Sequence, residues 1–312
     1  MNTPSRGKII LAFAAVYVIW GSTYLAIRFA VETLPPFLMA GIRFIIAGGF
    51  LYTFLRLRGA ARPTPIHWKS ASIVGAALLL IGNGGVSWAE QFVPSGITAL
   101  LIAIVPLWFV VLDWWQRGVQ PTLAVIGGLI LGTVGVLVLV DPAELVGGEA
   151  VHLGGAFVLL VATISWAAGS LYSRRAELPS SPLLATAMEM LSGGVMLLIV
   201  SAASGELVPM EIPSINPRSW IALGYLVVFG SLVAFSAYIW LLSHVQPTMV
   251  STYAYVNPVI AVFLGWLLGG EIIGERILLA AAMIVGAVAL ITSFSARRSA
   301  QRRKADRKSN AS

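Results

Sequence analysis

The sequence predicts an all-α membrane protein of ten transmembrane helices, arranged as two inverted five-helix repeats. Three observations carry that expectation. The 312-residue chain is 58% hydrophobic and only 11% charged, with a mean hydropathy of +0.89. A soluble domain carries about 25% charged residues. Ten apolar stretches fill the chain almost end to end, each near the roughly 20 residues needed to cross about 30 Å of hydrocarbon. Finally, the stretches fall into two sets of five that resemble each other, and an odd number per set turns the second set upside down in the membrane. Lipid offers the backbone no hydrogen-bond partner, so the spans are helices.

The stretches are 9–29, 38–55, 70–91, 97–116, 121–140, 153–173, 183–204, 218–242, 249–270 and 274–294. The first follows Arg6 and Lys8, as the core of a signal peptide does. Its run exceeds the roughly 7–15 residues of such a core and no small-x-small site follows, so it reads as a retained helix. The second carries Arg43 and the run Ala47-Gly48-Gly49. In the third, Gly82, Gly84 and Gly85 surround Asn83 and allow close backbone approach or a local break. The fourth opens behind the turn Val93-Pro94-Ser95 and holds Pro106 near its centre. Gly128, Gly132 and Gly135 give the fifth a close-packing face.

The second set repeats these marks. Trp166 in the sixth stretch matches Trp20 in the first, and Ser192-Gly193-Gly194 in the seventh matches the glycine run of the second. The eighth carries Ser236 and Trp240 on one face. Gln246-Pro247-Thr248 precedes the ninth, where Pro258 matches Pro106 and Trp266 matches Trp114. Ala282 and Gly286 give the tenth a small-residue face, for packing within the bundle or for dimerisation; the oligomeric state stays open. The repeats are placed at 9–140 and 153–294, with a basic tail at 295–312.

Charge sets the orientation. With the N-terminus in the cytoplasm, that side holds Arg6, Lys8, Arg56, Arg58, Arg62, Lys69, Arg117, Arg174, Arg175 and the seven basic residues of the tail. Together these are sixteen of the 20 Lys and Arg. The rule that positive loops stay inside then predicts two cytoplasmic termini in a bacterial-type inner membrane. The net charge of +7 therefore points to membrane lipid headgroups, not nucleic acid. A solvated tail is the alternative for those residues.

Several chemistries have no carrier here. The chain has no cysteine, and its three histidines, His67, His152 and His244, lie near helix ends without a ligand spacing. Neither a metal nor any other cofactor is expected. Gly147-Gly148-Glu149 is a lone glycine pair in a loop and not a phosphate loop, so ATP drive needs a partner subunit. No acidic pair marks a prenyltransferase and no serine–histidine set marks a protease, so the chain does not read as an enzyme.

Polar and aromatic residues at membrane depth mark the candidate site, because they are costly there. Tyr17, Trp20 and Tyr24 share a face of the first helix, and Asn83, Ser87 and Glu90, with Trp88 beside them, share one of the third. Trp108 lies just past Pro106, Trp166 pairs with Ser170, and Tyr253 pairs with Asn257. Such a lining suits a cavity for an amphipathic or cationic small molecule; helix packing is the alternative. Trp114, Trp115, Trp220 and Tyr52, near span ends, are assigned to the interfacial belts.

Pro106 and Pro258 free the carbonyls of Ile102 and Ala254, which marks either a packing kink or a broken helix at a central site. Arg43 and Glu189 occupy matched repeat positions, but inversion puts them near opposite faces, so they are not expected to pair. Arg43 either snorkels outward as a structural charge or holds an anionic group or backbone carbonyls. Asp113 sits one turn from the cytoplasmic end, within reach of water or of Arg117. Glu90 and Glu189 are the candidates for proton coupling, protons being one possible driving ion.

These motifs form a pattern. Trp20-Gly21-Ser22-Thr23-Tyr24, Gly41-Ile42-Arg43-Phe44, Trp88-Ala89-Glu90-Gln91 with Val93-Pro94-Ser95-Gly96, and Tyr255-Val256-Asn257-Pro258-Val259 leading to Gly269-Gly270-Glu271 follow one another across both halves. The chain thereby resembles the drug/metabolite transporter superfamily, in its ten-helix form with two EamA domains, and within it the inner-membrane exporters of the YedA type. The resemblance implies export of small metabolites, amino acids or drugs, driven by an ion gradient or by the substrate's own. The expected function is a secondary transporter working by alternating access; a receptor, a channel or an enzyme without recognisable motif are the rival readings.

Overall fold

The computed structural model describes residues 5–93, 98, 101–118, 120–140, 152–206, 215–269, 275–276 and 278–291. Pro94, Gly96, the loop with Gly147-Gly148-Glu149, the Trp266 side chain, Glu271 and the basic tail lie outside the described residues.

The chain is all-helical, with no strand among the described residues. Its helices are α1 (Arg6–Val31), α2 (Pro36–Leu57), α3 (Pro65–Ala89), α4 (Val105–Arg117), α5 (Leu123–Val140), α6 (Leu153–Ser173), α7 (Pro182–Ala203), α8 (Pro217–His244), α9 (Pro247–Val250), α10 (Tyr253–Gly269) and α11 (Leu278–Ile291). Six of them, α1, α2, α3, α6, α7 and α8, are long and apolar enough to cross a membrane.

Helix ends follow from side-chain capping. Thr64 and His67 close a capping box at the start of α3, and His152 Nδ1 accepts from Gly155 N at 3.0 Å at the start of α6. His244 ends α8, its Nδ1 2.8 Å from the Trp240 carbonyl. The start of α2 is capped from the other half of the chain. Phe37 N and Leu38 N donate to the Glu206 carboxylate at 3.3 and 3.0 Å, beyond the end of α7. A negative charge at a helix N-terminus is favourable. Glu206→Ala is expected to cost about 1 kcal/mol of stability. The check is its melting temperature in detergent, which must fall below that of wild type.

Two helices carry long π-helical segments, Ala76–Gly84 within α3 and Leu226–Phe235 within α8. Such wide turns are rare and concentrate at functional sites. They occupy the third and eighth apolar stretches, the same place in each half.

The fourth and ninth stretches are interrupted. A turn at Ala103–Ile104 precedes α4, and a turn at Ser251–Thr252 separates α9 from α10. Thus Pro106 marks a broken helix, the second of its two readings, and not a kink in a continuous one. It lies in the first turn of α4, where the missing N–H has no intrahelical acceptor to lose. Pro258 lies inside α10, as its position required.

Packing runs mainly between the two halves. α2 lies against α7, α1 against α8 and α10, α6 against α3 and α4, while α3 also meets α7 and α2 meets α8. Gly128 and Gly135 bring α5 against Ala287, Ile291 and Ile284 of α11, and Gly132 faces the Tyr255 ring. Trp114, Trp115 and Trp220 are exposed on the bundle surface, where an interfacial belt needs them, and Tyr52 packs on Trp68.

Candidate functional site

Residues of α1, α2, α3, α6, α8 and α10, with Ile102 and Val105 at the break before α4, enclose one cavity. The empty space there is about 660 Å³, open solvent included. The wall contains Trp20, Tyr24, Asn83, Trp166, Tyr253, Asn257 and Arg43 from the residues singled out in sequence, and Thr23, Thr163, Phe44 and Phe235 beside them.

Trp20 is the hub of the aromatic part. Its ring lies edge-on to Trp166 at 5.6 Å and to Tyr253 at 4.9 Å, and 4.9 Å from Tyr238. Its Nε1 donates to the Gly230 carbonyl at 3.3 Å, inside the π-helical segment of α8. A buried indole N–H needs such a partner. Trp166 Nε1 donates to Tyr238 Oη at 2.8 Å, and Ser170 Oγ lies 2.6 Å from the same hydroxyl. Trp166 also presses on the backbone of α3. A Cβ on Gly82 would stand 2.8 Å from its ring, so only glycine leaves room there.

Polar groups tie the broken segments together. The Asn257 amide nitrogen donates to the carbonyls of Tyr17 at 3.3 Å and Tyr253 at 3.0 Å, which joins α10 to α1. Tyr17 Oη reaches Thr252 Oγ1 at 2.6 Å, in the turn before α10. Tyr24 and Asn257 both face the cavity.

Arg43 is 2% exposed. Its Nε donates to Ser231 Oγ at 2.7 Å, and its guanidinium stands 4.8 Å above the Phe44 ring. One terminal nitrogen is buried without a hydrogen-bond partner. It does not snorkel to the surface, and no described carboxylate pairs with it; the ion pair between Arg218 and Glu32 lies elsewhere, at 3.9 Å.

The other candidate residues stand outside the lining. Ser170 supports Trp166 and Tyr238 from behind. Ser87 is fully buried with an unpartnered hydroxyl, Trp88 packs against Phe92 with ring centres 5.1 Å apart and planes tilted, and the buried Trp108 Nε1 has no partner. The spacing that put Asn83 and Ser87 on one face assumes an unbroken α-helix. The π-helical segment ends between them and shifts the phase. Glu90 is half-buried and Glu189 fully buried, and neither finds a hydrogen-bond partner for either carboxylate oxygen. Glu90 has Tyr24 and Arg28 as electrostatic neighbours, and Glu189 has Tyr238.

Tyr238 is the principal residue that sequence reasoning missed. It lies near the end of the eighth stretch, where a tyrosine reads as a belt residue. The repeat held the signal. Counted from Pro217 and Pro65, Tyr238 takes the place of Val86, a residue of the cavity wall.

Comparison with known proteins agrees in both halves. The model of the EamA-like transporter family matches residues 7–141 and again 153–293. The chain is 43% identical over 282 residues to the uncharacterized inner membrane transporter YedA of Escherichia coli K12, covering 90% of this chain and 89% of that one. It is 25% identical over 297 residues to the uncharacterized transporter YoaV of Bacillus subtilis, covering 93% and 99%. A WAT1-related chloroplastic protein of Arabidopsis thaliana is 27% identical over 279 residues, covering 88% and 67%. A solved crystal structure aligns over 94% of this chain and 99% of that one, with a TM-score of 0.75 at 21% identity, a likeness of fold alone.

Proposed function

The chain belongs to the EamA-like transporter family, within the drug/metabolite transporter superfamily, and from that premise we propose that it is a secondary carrier exporting small organic solutes across the inner membrane by alternating access. The observation that carries this reading is the aromatic cavity built jointly by both halves, with Trp20 and Trp166 from matched positions in edge contact at its centre. Central sites at a repeat interface are the usual plan of such carriers.

We further propose ten spans in two inverted repeats, 9–140 and 153–294. The packing supports this, because exchanging the halves maps the contacts onto each other. The first span on the eighth answers the sixth on the third, and the first on the ninth answers the sixth on the fourth. The paired π-helical segments and the paired breaks follow the same exchange.

The decisive experiment is uptake of radiolabelled metabolites, amino acids and drugs into inside-out vesicles, with and without a proton gradient. A carrier gives saturable, cavity-dependent accumulation. Unsaturable flux would indicate a channel, and chemical conversion an enzyme. Orientation is tested separately in this cysteine-free chain. Gly148→Cys is expected to react with an impermeant thiol reagent on intact cells and Ser309→Cys to be protected. Labelling of Ser309→Cys from outside overturns the assignment of cytoplasmic termini.

A further inference from the structure

Among the described residues Arg43 is the one charged group in the cavity wall, and no carboxylate there answers its charge. A guanidinium has five N–H donors, of which one is used here, by Ser231. The Gly230 carbonyl nearby already accepts from Trp20. A Cβ on Gly230 would stand 2.8 Å from an Arg43 terminal nitrogen, so only glycine leaves room for the guanidinium at that place. Neither buried carboxylate, Glu90 or Glu189, pairs with it among the described bonds.

An unpaired cation at membrane depth is costly. The Phe44 ring and the Ser231 bond offset only part of that cost, whereas an anionic occupant balances the charge. We infer that the cavity takes a small organic acid or zwitterion, its carboxylate held by the Arg43 guanidinium and its apolar or cationic body set against Trp20 and Trp166. This rests on the reading of the cavity as the substrate site.

The ligand class follows from the donor set. The free edge of a guanidinium matches a carboxylate with two parallel N–H···O bonds. Among the described residues no second cation lines the cavity, so a single negative charge is balanced and a doubly charged phosphate is not. The rings hold hydrocarbon through their faces and a substrate ammonium through their quadrupole. Hydroxyl and amide groups of Thr23, Asn83 and Thr163 complete the lining.

The test uses two probes of one shape, 3-phenylpropionate and its neutral amide, in equilibrium dialysis with the purified full-length protein in lipid nanodiscs. Wild type is expected to bind the acid about tenfold or more tighter than the amide. Arg43→Gln is expected to erase that preference, Arg43→Lys to keep part of it, and Trp20→Ala to weaken both probes alike. Equal binding of acid and amide by wild type overturns the inference, as does an unchanged preference in Arg43→Gln or binding of neither probe. Should Arg43→Gln fail to fold, the wild-type comparison alone decides. Equal binding of both probes that Trp20→Ala weakens sinks the carboxylate and leaves the cavity reading standing. Binding of both that is indifferent to Trp20→Ala sinks the cavity reading itself.

Discussion

Replacement of Trp20 by alanine is expected to lower transport at least about tenfold while the protein still inserts and accumulates in the membrane. The magnitude follows from what the indole does. It touches Trp166, Tyr238 and Tyr253, and its N–H satisfies a carbonyl within the π-helical segment of α8. Truncation removes ring contacts with three residues of the other half, and tenfold corresponds to about 1.4 kcal/mol of lost substrate contact. A buried Trp→Ala change also costs about 3–5 kcal/mol of stability. Trp20→Phe separates the two effects, because it keeps a ring and loses the bond to Gly230. It is expected to transport better than Trp20→Ala at equal expression. Asn257→Ala, which unties α10 from α1, is expected to impair transport as well. Normal rates in both Trp20→Ala and Asn257→Ala would show that this cavity is not the pathway.

Much of the architecture was legible because hydrocarbon imposes a length on each apolar run. The boundaries of α1, α2, α6, α7 and α8 fall within a few residues of the apolar stretches. The breaks were less legible. Proline marks a lost N–H but not which side of it the chain turns, so Pro106 pointed to the right stretch and left kink and break undecided. The π-helical segments carry no proline at all. Glycines around Asn83 hinted at one of them, and nothing hinted at Leu226–Phe235 except its repeat partner.

The site divides the same way. Trp20, Trp166 and Asn257 stand near mid-depth, where a belt role does not explain them, and the cavity gathers all three. Ser87 and Ser170 were placed by helical spacing, which fixes direction only within one helix and not across a phase shift or behind a tryptophan. Arg43 could be found by sequence but not interpreted. Its two readings differ only in where the long side chain ends, and that depends on Ser231 and Gly230 of the other half. The expected separation of Arg43 from Glu189 came from inversion alone, and no ion pair joins them among the described residues.

Glu90→Gln is expected to abolish proton-driven accumulation while leaving substrate binding intact. A proton-coupled carrier needs a group that gains and loses a proton as the site alternates between the two faces. Such a group must be shut off from bulk water in one state, lack a permanent counter-ion, and stand beside the substrate path. Both oxygens of Glu90 and both of Glu189 are closed off and unpartnered. Position decides between them. Glu90 neighbours Tyr24, a residue of the cavity wall, and Arg28 one turn further along α1. Glu189 neighbours Tyr238, which stands behind Trp166. Glutamine preserves the shape of either side chain and removes only the titration, so Glu189→Gln is expected to keep most of the wild-type accumulation. The measurement is solute accumulation in proteoliposomes under an imposed proton gradient, beside solute exchange with no gradient. Loss of accumulation with exchange retained assigns the proton to Glu90. Full accumulation by Glu90→Gln removes that carboxylate from the mechanism, and loss in Glu189→Gln alone moves coupling to the first half of α7.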